Sequence, residues 1–490
     1  MFERPTCLRA ALLAATLLGA AACVPPLDEY RPRAPRDELP RTWAGREGQE
    51  LVVDSNEALG GLSELFDDPY LATLIDEALA GNQELSLRFQ ELLVARAAFK
   101  ARTGAYLPRL DAGLGAGLEK VGDGTSQGVT DAANGVPEDL PEFRLGLRAS
   151  WEVDIWHRLR DSAKAASLRY FATVEGRHFL VTELVGEIAE AYYELLALDR
   201  QLEVLASNIQ LQQDALEIVR LEKRAAKVTE LAVQRFEAEV LKNQSELFDV
   251  EQRIVATENR LNFLVGRYPR PIERDAARFD RALPPTLRVG VPADLLENRP
   301  DILRASLTLE AAELEVGVAR KEFYPSLEVE GSLGYEATEL DRLLITPESV
   351  FYSIGAGLAG PVFNRRVLTG EYLAANAEQT SAVIEYERTV LAAFNEVSTL
   401  LARIENLERS VDLETRQVEL LDRASESSAT LFQSARADYV EVLQTRRESL
   451  EAQRELIDSR LELRHAAIGL YRALGGGWRE STPEQDEPRS

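Results

Sequence analysis

Two stretches of this chain repeat each other. Leu107-Pro108-Arg109-Leu110 is answered by Tyr324-Pro325-Ser326-Leu327, and Leu145-Gly146-Leu147 by Ile354-Gly355-Ala356, about 210 residues further on. Each copy reads as helix, two alternating strands, one very long helix, a turn and a return helix. For a chain of 490 residues, this points to two copies of one unit sharing one architecture rather than several unrelated domains.

The strands carry a period of two. Leu110, Ala112, Leu114, Ala116 and Leu118 alternate with Asp111, Gly113, Gly115, Gly117 and Glu119. A loop rich in Gly, Asp and Ser spans about 121–141, and Phe143, Leu145, Leu147, Ala149 and Trp151 then alternate with Glu142, Arg144, Gly146, Arg148, Ser150 and Glu152. In the second copy Leu327, Val329, Leu333 and Tyr335 oppose Glu328, Glu330, Ser332 and Glu336, and Tyr352, Ile354, Ala356 and Leu358 oppose Ser353, Gly355 and Gly357. One face is apolar and the other charged or glycine, over roughly the ten residues that a tilted strand needs to cross a bilayer. A soluble sandwich with one wet face has the same pattern. In the membrane reading, four strands cannot close a barrel, and hydrocarbon tolerates no open sheet edge, so several chains must share one.

The helices supply the second constraint. No proline intervenes from Arg158 to Lys223, and Leu180, Leu184, Ile188, Ala191, Leu195, Leu198, Leu202, Leu205 and Ile209 form a seam with the coiled-coil period. The return helix repeats it with Val233, Phe236, Val240, Leu247, Val250, Ile254, Leu261 and Leu264, and the second copy with Val383, Tyr386, Val390, Val397, Leu400, Ile404, Leu407 and Val411. At 1.5 Å per residue the outgoing helix spans roughly 100 Å, and the return helix about 57 Å. A pre-strand helix from Asp68-Pro69 to Thr103, roughly 52 Å long, completes the sum if it stacks end to end on the return helix. Segments 293–323, 364–433 and 437–474 repeat the arithmetic. A solid bundle shares the seams but leaves strands at one end of every rod unexplained.

The N-terminus places Arg4 and Arg9 before an apolar run, Ala10 to Ala22, that is too short for a membrane helix of roughly 20 residues. Its ending, Gly19-Ala20-Ala21-Ala22-Cys23, resembles a bacterial lipoprotein signal, which implies lipidation of Cys23; Val24 at the next position implies sorting to the outer membrane. Ordinary cleavage after an Ala-x-Ala site is the competing reading. Cys7 leaves with the signal, so the mature chain can form no internal disulfide. The net charge of −26 argues against phosphate-backbone binding, and no nucleic-acid partner is expected.

Several stretches together resemble the outer-membrane efflux protein family, the TolC-like channels, in the lipoprotein branch serving tripartite RND-type drug pumps. They are Asp68-Pro69-Tyr70-Leu71 with Ala78-Leu79 and Asn82; Ala149-Ser150-Trp151-Glu152-Val153-Asp154; Leu295-Leu296-Glu297-Asn298-Arg299-Pro300-Asp301-Ile302; Phe323-Tyr324-Pro325-Ser326; Ala392-Ala393-Phe394-Asn395-Glu396-Val397; and Leu470-Tyr471-Arg472-Ala473-Leu474-Gly475-Gly476-Gly477-Trp478. The expected fold is a mixed α/β membrane protein with four antiparallel transmembrane β-strands per chain and long coiled-coil α-helices in two tandem repeats. The resemblance implies a homotrimer with a 12-stranded β-barrel and a periplasmic α-helical barrel. It also implies partnership with a periplasmic adaptor (membrane fusion) protein, an inner-membrane RND-type transporter and outer membrane lipid. The expected organisation is a signal peptide at 1–22, an extended segment at 23–60, repeat 1 at 61–266 with strands near 108–120 and 142–153, and an inter-repeat segment at 267–292. Repeat 2 follows at 293–475, with strands near 325–336 and 351–361, and then a tail at 476–490. By resemblance the segments around 24–60, 267–292 and 479–490 form a belt around the tunnel.

The same resemblance assigns a gate and a docking surface to the helix tips. The family usually has Gly where Ala226 and Ala435 stand, and commonly Asp where Ala232 and Gln444 stand. What remains for a gate is Val440, Glu441, Gln444 and Arg447, with Glu441 and Arg447 in the charged roles. Adaptor docking falls on Lys227, Thr229, Arg436 and Asp438. A solvated helix face is the alternative for each. His157, His178 and His465 are dispersed, no phosphate-binding loop occurs, and neither catalysis nor a cofactor or metal is expected, apart from the covalent lipid on Cys23. The function implied is a passive outer-membrane conduit of a tripartite efflux pump for small amphiphilic molecules. A duct for type I protein secretion or metal export, and a non-conducting periplasmic scaffold, are the competing readings.

Overall fold

The computed structural model describes Val24, residues 32–35, Pro40, Trp43, and residues 67–281, 292–361, 363, 365–434 and 436–478. The signal peptide, Cys23, most of segment 23–60, Ala435 and residues 479–490 lie outside the described residues. The chain divides into two compact units. One comprises Met1–Pro35, Leu92–Ala172 and Ala305–Tyr386, the other Arg36–Glu91, Thr173–Arg304 and Glu387–Ser490.

In chain order the elements are α1 (Pro69–Gly81), α2 (Gln83–Ala105), β1 (Arg109–Glu119), α3 (Ser126–Ala133), β2 (Leu140–Val153), α4 (Arg158–Arg224), α5 (Glu230–Val265), α6 (Asp294–Asn298), α7 (Pro300–Lys321), β3 (Ser326–Ala337), β4 (Val350–Ala359), α8 (Arg365–Gln433) and α9 (Tyr439–Ala473). Two expectations change. The loop expected at 121–141 contains α3, which Thr125 caps by accepting from the Gly128 N–H at 3.0 Å. The single pre-strand helix expected from Asp68 to Thr103 is two helices broken at Asn82, and its counterpart in the second copy breaks at Arg299.

The first unit holds one antiparallel sheet in the order β1-β2-β3-β4. The two hairpins of the duplication are joined by β2 and β3, with Leu145 opposite Tyr335 and Leu147 opposite Leu333. Directly paired residues share a face, so one register decides every side chain. Leu114 faces Leu145, Trp151 faces Val329 and Leu333 faces Tyr352, giving one apolar face across all four strands. That face is uncovered: Leu114 is 78% exposed, Tyr352 79% and Ile354 84%. The sheet's roots are tied down by polar contacts. Trp156 Nε1 donates to the Pro325 carbonyl at 2.8 Å, Arg158 bonds Glu152 at 2.7 Å, and Asp154 accepts from the Leu159 and Arg160 N–H groups at 3.1 and 3.0 Å, capping α4. Between Asp154 and α4, His157 adopts φ 61°, a left-handed conformation that carries a steric cost for a residue with a Cβ. Ala165 and Leu168 pack on Ala311 of α7, and Val24 packs with Phe323 and Tyr372.

In the second unit, each return helix ends on the broken joint of its own repeat. Gly266 terminates α5 at φ 82°, and a Cβ there would lie 2.2 Å from the Gly81 carbonyl oxygen. Gly475 follows α9 at φ 85°, where a Cβ would lie 2.4 Å from the Asn298 carbonyl oxygen. At the first joint Asn82 Nδ2 donates to the Leu264 carbonyl at 2.7 Å, while its Oδ1 accepts from the Leu85 N–H at 3.0 Å. One amide thus caps the end of α5 and the start of α2, which join end to end through it. At the second joint Arg299 Nη1 donates to the Ala473 carbonyl at 2.7 Å. The guanidinium is buried and grips Asp301 and Glu396, each at 2.8 Å. Burial works to lower the Arg299 pKa, but these carboxylates outweigh it and hold the group above its ordinary value.

The segment after Gly266 is pinned by arginines. Arg274 bonds Asp199 of α4 at 2.5 Å and Glu258 of α5 at 2.6 Å, and Arg464 of α9 donates to the Phe279 and Arg281 carbonyls, its guanidinium 4.8 Å above the Phe279 ring. Trp43 is fully buried and stacks on Phe394 of α8 with ring centroids 5.5 Å apart. In the first unit, the Arg33 backbone exchanges two hydrogen bonds with the buried Gln379 of α8.

Candidate channel wall and tip gate

The polar face of the sheet is the first candidate. Strand register gathers Asp111, Glu119, Glu142, Glu152, Glu328, Glu330 and Glu336 on the same face as Arg109, Arg144 and Arg148. Each arginine is engaged: Arg109 with Asp111 at 2.9 Å, Arg144 with Glu142 at 2.7 Å and Glu336 at 2.8 Å, Arg148 with Glu330 at 3.3 Å. These pairs are exposed and each contributes little stability, roughly 0–1 kcal/mol. Their effect is on the field: carboxylates outnumber guanidinium groups, so the face attracts cations.

One residue of this face escaped the sequence reading. Gly113, Gly146, Gly334 and Phe351 stand in a single cross-strand row. A Cβ built on Gly334 would meet the Phe351 ring at 3.0 Å, and one on Gly146 would meet it at 3.4 Å, so the ring lies over the bare backbone of β2 and β3. Phe351 is the one aromatic side chain that the register sets on the polar face.

The second candidate is the tip, formed by the α4–α5 and α8–α9 turns. Ala215, Leu216 and Val219 of α4, Ala232, Val233, Phe236 and Val240 of α5, and Val442 and Leu443 of α9 make one buried cluster, with Phe432 of α8 packed against it. Ala232 is fully buried there, which gives the physical reason for an alanine: a carboxylate would enter an apolar core without a partner. The turn after α4 closes with the Lys227 N–H on the Glu222 carbonyl at 2.9 Å and with Ala226 at φ 56°.

All eight residues assigned to gate and docking are exposed. Val440, Glu441 and Gln444 lie in the first two turns of α9, and Gln444 Nε2 donates to Glu448 at 2.9 Å. Arg447 turns instead to Glu239 of α5, with which it forms an ion pair. The Glu239 side chain is 4% exposed and that of Arg447 58%. The hydrogen bond to Glu239 raises the Arg447 pKa above the usual arginine value, so Arg447 stays charged. The structure does not bring Glu441 and Arg447 together. Glu239 carried a signal in the sequence: with Asn243 it interrupts the apolar seam of α5, and Asn243 donates to Gln212 of α4 at 2.8 Å inside the core. On the docking side, Thr229 and Asp438 occupy the N-cap positions of α5 and α9, yet neither side chain bonds its helix. Lys227 and Arg436 flank them.

Among the described residues, no helix is long and apolar enough to cross a membrane and no group of three or more His, Cys, Asp or Glu could hold a metal ion. The model of the family described as outer membrane efflux protein matches residues 74–267 and 291–476, one span per repeat. The pyoverdine export outer membrane protein OpmQ of Pseudomonas aeruginosa is 29% identical over 471 residues, covering 95% of this chain and 96% of that protein. The probable outer membrane lipoprotein SilC of Salmonella typhimurium is 26% identical over 469 residues, covering 95% and 98%. The solved structure of the outer-membrane channel OprN superposes with a TM-score of 0.82 at 23% identity, covering 94% of this chain and all of that one.

Proposed function

Because this chain belongs to the outer membrane efflux protein family, which both repeats match, we propose that it is the outer-membrane channel of a tripartite efflux pump. In this reading it is a passive homotrimeric conduit that receives small amphiphilic solutes from an RND-type inner-membrane transporter through a periplasmic adaptor.

The observation that carries the reading is the four-stranded sheet. Its apolar face is uncovered and its outer strands β1 and β4 each have one neighbour among the described residues. Backbone groups on those edges would be unsatisfied in hydrocarbon. Three copies of a four-stranded sheet give twelve strands, above the roughly eight at which bacterial barrels begin. The apolar face then meets lipid and the charged, glycine-rich face meets water. An acyl chain on Cys23 fits this arrangement, because Val24 packs beside Phe323, three residues before β3 begins.

At the tips, the reading assigns the gate to Val440, Glu441, Gln444 and Arg447, with Glu239 holding Arg447 against α5. Lys227, Thr229, Arg436 and Asp438 receive the adaptor, since Thr229 and Asp438 leave their side chains free of helix capping.

The test uses the mature lipoprotein in detergent. Its mass by light scattering should be that of a trimer, and planar bilayers should show a cation-preferring conductance by reversal potential. Arg447→Ala and Glu239→Gln should both raise that conductance, and an unchanged channel removes the pair from the gate. A water-soluble monomer without affinity for detergent would end the channel reading.

A further inference from the structure

Arg144 on the polar face of β2 is held in a way that leaves part of it free. Its edge is used by carboxylates: Nε and Nη2 donate to Glu336 at 3.1 and 2.8 Å, and Nη2 also lies 2.7 Å from Glu142. One side of the group lies over the Phe351 ring, with the guanidinium carbon 5.4 Å from the centroid. Phe351 in turn rests on the backbone of Gly146 and Gly334, where no Cβ lifts it from the wall. The Arg144 side chain is nevertheless 54% exposed. Carboxylates hold the Nε–Nη2 edge, and with the Phe351 ring on one side the planar guanidinium retains its other face for stacking. The groove that contains it measures about 490 Å³, the size of sites that take drug-sized molecules.

We propose that this outer face of Arg144 is a stacking subsite for aromatic rings of passing solutes, with Phe351 as the residue that positions it. The proposal rests on the channel reading above, which turns this face toward the transported solute. Two carboxylates beside one guanidinium leave the spot net negative, so aromatic solutes carrying an amine suit it better than aromatic anions. Arg148 provides the contrast. It lies on the same strand and face as Arg144 and pairs with Glu330 of β3, and none of the ring contacts of the sheet involves it.

The test compares two blockers matched in charge and size, benzylammonium and cyclohexylmethylammonium, added to single channels of the full-length trimer in planar bilayers. Benzylammonium should reduce the current at about two- to fivefold lower concentration, the ratio a solvent-exposed cation–π contact provides. Arg144→Lys keeps the charge and removes the planar face, so its ratio should fall to about one. Phe351→Leu should lower the ratio by freeing Arg144 from its bed, and Arg148→Lys should keep the wild-type ratio. Equal block by the two amines in a conducting wild-type channel overturns the subsite alone. An Arg144→Lys channel that keeps the preference overturns it as well, and a Phe351→Leu channel that keeps it removes the positioning role. A wild-type protein that never conducts overturns the channel reading and the subsite with it.

Discussion

The two joints where a return helix meets its own repeat solve one geometric problem with different chemistry. In both, a glycine in the left-handed region lets the chain leave the helix, at φ 82° for Gly266 and 85° for Gly475, and in both that glycine lies against the backbone of a helix break. The terminal carbonyls of α5 and α9 need a donor. Asn82 answers with a neutral amide, whose oxygen also serves the start of α2. Arg299 has donors but no acceptor, so the start of α7 is arranged differently. Pro300 has no N–H to satisfy, and Asp301 accepts from the Ile302 N–H at 2.9 Å while neutralising Arg299. The duplication therefore retained the path of the backbone and let the capping group diverge. The price is a buried charge in the second copy that the first avoids.

That comparison predicts where the repeats respond alike and where they part. Gly266→Ala and Gly475→Ala should be the most damaging and nearly equal, each costing about 4 kcal/mol from the left-handed backbone and the overlap with a carbonyl oxygen. Thermal unfolding followed by circular dichroism checks this, and a large inequality would show that the two joints are not equivalent. Arg299→Met should come next, at about 3 kcal/mol, because Asp301 and Glu396 lose their counter-charge. Asn82→Ala should cost less, about 1–2 kcal/mol, since only neutral hydrogen bonds are lost. If the alanine variant at Asn82 proves the worse of the two, the charged joint is not the more demanding one. The smallest effect has the opposite sign. Ala226 sits at φ 56° in the first tip turn, so Ala226→Gly should stabilise the protein by about 0.5–1 kcal/mol, the relief of left-handed strain less the added freedom of the unfolded chain.

Much of this architecture was legible in the residues. Alternation from Leu110 to Leu118 assigns the two faces of β1, because side-chain direction in a strand follows from position alone. The seam from Leu180 to Ile209 likewise defines one face of α4. The break at Asn82 was not read from the residues: Gly81-Asn82-Gln83 lies within a run compatible with one helix, and the Leu264 carbonyl that the Asn82 amide caps there is 182 residues away in the chain. Phe351 was equally hidden. Only the pairing of β3 with β4 places its ring over Gly334 and Gly146. At the tip, Glu441 and Arg447 were legible as charged residues but without a partner for either, and the helix crossing pairs Arg447 with Glu239.

By itself, then, the amino-acid order determined the strands with their two unlike faces and the long helices, since these follow from periodicity within one element, while repeated stretches carried the duplication and scattered motifs carried the family resemblance. Which polar groups meet was decided by tertiary structure. Asn82 with Leu264, Arg447 with Glu239 and Arg144 with Phe351 each join residues far apart in the chain, and such contacts depend on register and helix crossing, which no local pattern encodes.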